Sequence, residues 1–139
     1  MNINFQIKQI KTDQFAIFDT TIKPNTLAEL ITKIEFKIDI EQNMIGTFMT
    51  FDFSHENKIF IRLACSCHFQ IQKESWTNFL TDKPTITVPK SFLLHLATIT
   101  TGTSRGILHS KTEGTAFCTL VLPTIDLTQL ISTDLEFLI

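Results

Sequence analysis

The chain contains no Tyr, one Trp, four Gly, four Pro and three Cys in 139 residues. So little Gly leaves scant material for a phosphate-cradling loop, and neither a G-x-G-x-x-G nor a Walker-type segment is present. The nearest approach, Gly102-Thr103-Ser104-Arg105-Gly106, falls where helical periodicity ends. A phosphate needs the opposite end of a helix, where N–H groups are free. An odd count of Cys does not make a closed disulfide framework and fits a reducing cytoplasm. No apolar run approaches the ~20 residues of a membrane helix, and Met1-Asn2-Ile3-Asn4-Phe5-Gln6 lacks the basic-then-apolar order of a signal peptide. Basic residues are not in excess either: 12 Lys and Arg against 14 Asp and Glu give a net charge of −2. That argues against a nucleic-acid footprint, which would show as a basic stripe. The expectation is one cytoplasmic domain over residues 1–139, with no integral membrane segment.

What the chain does have is Phe, thirteen of them. Phe has no polar handle, so it suits a core or a greasy binding surface equally. Strand patterns dominate up to Lys73. Phe5 to Phe18 is a broken alternation with a bulge or bend around Lys11 to Gln14. Pro24-Asn25 is a turn signal, and Leu27, Leu30 and Ile31 after it form one helical turn or an extended crossover. Ile34 to Ile40 alternates with period two, and Met44 to Phe53 follows a turn at Glu41-Gln42-Asn43. After the turn Ser54-His55-Glu56-Asn57, Lys58 to Gln72 is the clearest strand. Ile59, Ile61, Leu63, Cys65, Cys67, Phe69 and Ile71 share one of its faces.

Beyond Lys73 the period lengthens. Trp76, Phe79 and Leu80 suggest a short turn before Pro84, and Ile86 and Val88 a brief extended piece. The spacing then predicts a helix from about Pro89 to Ser104, stopped at Gly106. A second, shorter helix is expected from Asp126, which suits an N-cap. Strands first and helices last spell an α+β fold.

Cys65-x-Cys67-His68 tempts a zinc reading. On a strand, however, His68 points away from the face that both thiols share, and Cys118 stands alone. Small buried hydrophobes are the better reading of these cysteines. No G-x-S-x-G elbow is present. His95 and His109 read as surface or packed imidazoles, and Asp39, Glu41 and Glu56 lie near turns. The expectation is a protein that is not an enzyme and binds no cofactor or metal.

One stretch resembles a known family. Ile99-Thr100-Thr101-Gly102-Thr103-Ser104-Arg105-Gly106, then Leu120-Val121-Leu122-Pro123-Thr124-Ile125-Asp126-Leu127, is similar to the carboxyl-terminal part of the SecB export chaperones. There a long helix ends in a Ser-Arg-Gly turn, and a Leu-x-Pro segment leads to a last helix. Cys67-His68-Phe69-Gln70-Ile71 and Phe5-Gln6-Ile7-Lys8-Gln9-Ile10 resemble that family's closing and opening strands. The resemblance implies a four-stranded antiparallel Greek-key sheet with two C-terminal helices packed on one face. It also implies a homotetrameric dimer of dimers, joined through the long helix, that holds unfolded or precursor polypeptides in hydrophobic grooves without ATP. By that analogy Phe18, Ile22, Leu27, Leu30, Leu127, Leu130 and Phe137 line the groove, and Phe92, Leu96, Ile99 and Thr103 form the oligomer interface. Core packing is the other role open to each. Arg105 and Gly106 read as structural.

Two departures point away from the family's partner SecA. Arg62 stands on the strand where an acidic residue would face it, and the family's flexible, polar tail is expected to be missing, since the sequence stops at Leu135-Glu136-Phe137-Leu138-Ile139. The alternative reading is a dedicated partner-binding module on the same fold, such as a chaperone for one antitoxin or an adaptor, with no link to SecA.

Overall fold

Strict alternation is the strongest local instruction in this chain, and the sheet follows it. The computed structural model describes residues 2–23 and 26–139, so the Pro24-Asn25 turn signal lies outside the described residues. Four strands, β1 (Phe5–Ile17), β2 (Glu29–Asp39), β3 (Met44–His55) and β4 (Lys58–Ile71), form one antiparallel sheet in the order β1-β4-β3-β2. Glu56 and Asn57 close the β3–β4 hairpin with φ of 50° and 66°, the left-handed pair that a two-residue turn needs. β2 begins earlier than periodicity suggests, so Leu30 and Ile31 are strand residues. The break expected in β1 is real but double, with Lys8 and Asp13 each left unpaired. A third bulge leaves Phe60 out of the β3–β4 ladder, its ring 5.7 Å from that of Phe117.

A short helix α1 (Lys73–Trp76) and one 3-10 turn lead to β5 (Thr85–Val88), then to α2 (Lys90–Thr112). α2 lies across β3 and β4. Its inner side, including Phe92, Leu93, Leu96 and Ala97, is buried with Phe51 and Phe69 of the sheet. Seven Phe (51, 53, 60, 69, 79, 92 and 117) are buried, which answers the composition in favour of the core.

α2 runs eight residues past the expected stop at Ser104. Gly106 sits inside it, and the left-handed residue is Gly114, at φ 76°. Gly costs about 1 kcal/mol in a helix interior. Burying Ser104, Leu108 and Thr112 on the continuing inner face outweighs that cost. The hydroxyls of Thr100, Thr101, Ser104 and Thr112 each donate to the carbonyl four residues back, so the buried polar groups are satisfied. Pro89 stands at the N-cap, one residue before the position expected for it. It offers no side-chain oxygen, and Asp134 Oδ1 accepts the Lys90 N–H instead, at 2.8 Å.

The second C-terminal helix is not there. Asp126 accepts from the Thr128 N–H, but only a 3-10 turn over Leu127–Gln129 follows. The chain then forms β6 (Leu135–Leu138), which pairs antiparallel with β5. Pairing with β5 satisfies backbone groups that a solvated helical end would leave to water.

Thr47 Oγ1, fully buried, lacks a hydrogen-bond partner among the described residues. Thr47→Val is therefore expected to raise stability by about 1 kcal/mol, read as a higher urea midpoint at unchanged slope.

Candidate functional site

α2 leaves apolar surface open along both edge strands: on β1, Ile7 and Ile10 are exposed, and on β2 the opening is hollowed. Two hollows follow one another on the helix side of that strand. One, about 320 Å³, is bounded by Leu27, Leu30, Phe53, Leu120, Val121 and Pro123. The other, about 370 Å³, is bounded by Ile34, Phe36, Leu130, Ile131, Leu135 and Phe137. The even residues of β2 face inward by strand geometry, and residues 120–137 form the opposite wall. Leu27 is 90% exposed, Val121 62% and Leu130 39%.

Arg105 holds that wall in place. From α2 its Nε donates to the Leu122 carbonyl at 2.8 Å, and its Nη2 to the Pro123 carbonyl at 3.0 Å. The two halves of the motif read from sequence, Ser104-Arg105 and Leu122-Pro123, thus touch each other. Arg105→Met is expected to cost about 1–2 kcal/mol, the part-exposed setting keeping it low. Amide exchange should accelerate selectively over residues 120–123.

Of the residues expected in the groove, Leu27, Leu30, Leu130 and Phe137 line the hollows. Leu127 does not; it is buried in the core. Ile22 is half-buried and Phe18 is 56% exposed, and neither lines either of these two hollows. Val121 and Ile34 are the additions. Val121 has no periodic neighbours to flag it, and Ile34 reads as an ordinary inward strand residue. Of the interface candidates, Leu96 is wholly and Phe92 almost wholly buried within this chain, while Ile99 and Thr103 are half-buried. Apolar spacing finds the covered face of a helix; here its exposed side carries His95, Thr98, Gly102, Gly106 and His109.

The opposite face of the sheet carries polar chemistry. Arg62 grips Asp52 with two parallel bonds, at 2.6 and 3.0 Å, and the Asp52 side chain is only 5% exposed. The pairing holds the Arg62 guanidinium above its ordinary value. The rings of Phe48 and His68 meet edge to face at 5.3 Å, above Gly46, where a Cβ would lie 2.8 Å from the Phe48 ring. His68 Nε2 and Ser66 Oγ are 3.0 Å apart. This is no catalytic pair: Ser66 is fully buried, and no carboxylate among the described residues hydrogen-bonds His68. Burial holds the His68 imidazole below its ordinary value, nearby Lys11 adds to this, and Asp13 opposes it.

With the folded value below the unfolded 6.5, the unfolded chain takes up the proton first as pH falls. The stability His68 contributes is therefore present above 6.5 and is lost as pH falls through the folded value. His68→Gln is expected to flatten the decline of the thermal midpoint below about pH 6.5.

Cys65 and Cys67 are buried beneath α2, on the face opposite His68. Burial pushes the Cys65 thiol up to about 11, against the lowering effect of its hydrogen bond with Ser104. A thiol so held is a poor metal ligand. Among the described residues no group of three or more His, Cys, Asp or Glu is placed to hold a metal ion, and no helix is long and apolar enough to cross a membrane.

No family model matches the chain, and no curated protein does. Among solved structures, a protein of unknown function from Streptococcus agalactiae is similar over 91% of this chain and 99% of that one, at 14% identity and a TM-score of 0.42. So loose a likeness carries no argument about function.

Proposed function

We propose that this protein is an ATP-independent holdase, SecB-like in its work, that takes apolar segments of unfolded polypeptide into the trough between β2 and residues 120–137. The observation that carries this reading is the pair of hollows along β2, edged by Leu27, Val121 and Leu130. Apolar side chains left exposed at the rim of a hollow are surface that an apolar client segment can cover. The strand order supports the SecB-like reading: three hairpin-linked strands with the first strand lying beside the last fit the Greek-key order expected of it. Against it stand the unbroken helix through Ser104-Arg105-Gly106 and the missing last helix. Clients would be held by apolar contact along an extended chain, with no nucleotide step.

A second reading, a dedicated module for one partner, is favoured by the outer sheet face. There Arg62, held against Asp52, stands on the strand where a SecB-like protein would present an acid to SecA.

Light scattering of a slow-folding, destabilised client tests both. One equivalent of this protein should suppress client aggregation without nucleotide. Unabated aggregation of every generic client, with tight binding to one partner, would replace the holdase by the module.

A further inference from the structure

β2 ends the sheet, and β3 is the strand that bonds to it. Its pairing with β3 runs from Glu29↔Ser54 to Asp39↔Met44 without a register shift, so its free edge is straight. The far edge, β1, is broken by unpaired Lys8 and Asp13. Bulges blunt an edge; a straight edge without Pro is a template for another strand. The outward side chains of β2 are Glu29, Ile31, Lys33, Glu35, Lys37 and Asp39, alternating in sign from Lys33 onward. Among the described residues none of these four charges has an ion-pair partner. Lys37 Nζ lies 4.5 Å over the Phe48 ring, and Asp39 accepts the Gln42 N–H at 3.2 Å.

We propose that the occupant of this edge is β2 of a second copy, antiparallel about a two-fold axis at Phe36. Residues opposed across an antiparallel sheet share a face, so only registers that set odd against odd preserve the inward apolar side. Those registers can be compared one by one. Centred on Phe36, Glu35 opposes Lys37 and Lys33 opposes Asp39, each twice by symmetry. On the inner face Phe36 meets Phe36 and Ile34 meets Ile38. Centred on Glu35, Lys33 opposes Lys37 and Glu35 opposes itself. Centred on Lys37, Glu35 opposes Asp39 and Lys37 opposes itself. Centring on Ile34 sets Glu29 against Asp39, and on Ile38 sets Glu35 against Glu41. Only the Phe36 register sets all four of these charges against opposite ones, and self-complementarity is what an isologous two-fold interface requires. The pairing merges two four-stranded sheets and sets the Ile34–Phe36 hollows of both copies beside the axis. It stands independently of the client-holding reading.

The test is sedimentation of the full chain, of Glu35→Lys, of Lys37→Glu and of the two variants mixed one to one, each checked for fold by circular dichroism. The wild type is expected to sediment as a dimer. Each single variant opposes like charges twice and should weaken association by about tenfold or more. In the mixture each altered side chain meets one of opposite sign, so dimers should return. A monomeric wild type, including one that takes a permanently unfolded client along β2 instead, would overturn the proposal. So would self-association indifferent to both changes, or a mixture no better than its parts.

Discussion

Replacing Leu27 and Leu130 together by Asp is expected to weaken client binding at least tenfold while leaving the protein folded. Burying one Leu side chain contributes about 1.5–3 kcal/mol, and about 1.4 kcal/mol is a factor of ten in affinity. An Asp in either hollow loses that contribution and must also shed its water on binding. The fold loses little, because Leu27 is 90% exposed and Leu130 39%. Changes at such positions typically stay within about 0.5 kcal/mol. Leu127→Asp is the contrasting control. Leu127 is buried beside the same wall, and a charge there should unfold the chain. Titration of a fluorescent, permanently unfolded client, run beside thermal melts, separates the two effects. Unchanged affinity in the folded double variant would remove the hollows from client binding.

The second large effect lies on the outer sheet face. Arg62→Met is expected to cost about 2–3 kcal/mol, because it strands a carboxylate that is nearly out of solvent. The figure is held below that of a fully buried pair because Arg62 itself is 33% exposed. Adding Asp52→Asn should recover more than half of the loss, since no charge then remains to be hydrated. Urea melts of both singles and the double close the cycle. A single variant that costs only a few tenths of a kcal/mol would make the pair an ordinary solvated bridge.

What was legible in the sequence was the part that local chemistry dictates. β4 alternates without interruption from Ile61 to Ile71, so the faces of that stretch, and the separation of His68 from the two thiols, could be read directly; Ile59 could not, because the bulge at Phe60 sets it opposite Ser54 on the other face. The end of α2 could not, because Gly102 and Gly106 argue locally for a stop, whereas the buried inner face that overrides them is tertiary. Asp126 likewise gives an honest cap signal, but Leu135–Leu138 pairs with β5, nearly fifty residues earlier in sequence, which no window reveals. The groove was half legible. Spacing marks Leu27, Leu30, Leu127 and Leu130 as one kind of residue; only packing separates Leu127, which the core covers, from the three that line the hollows. The same blindness put Phe92 and Leu96 at an interface when they belong to the interior.

The most direct measurement is site-specific photo-crosslinking to a reduced, permanently unfolded client, with the probe placed in turn at Leu27, Val121, Leu130 and, as a control, at exposed Glu113 on the far end of α2. If the trough along β2 holds the client, the first three positions crosslink and Glu113 does not. Crosslinks of equal yield from all four, or from none, would contradict a client-binding trough.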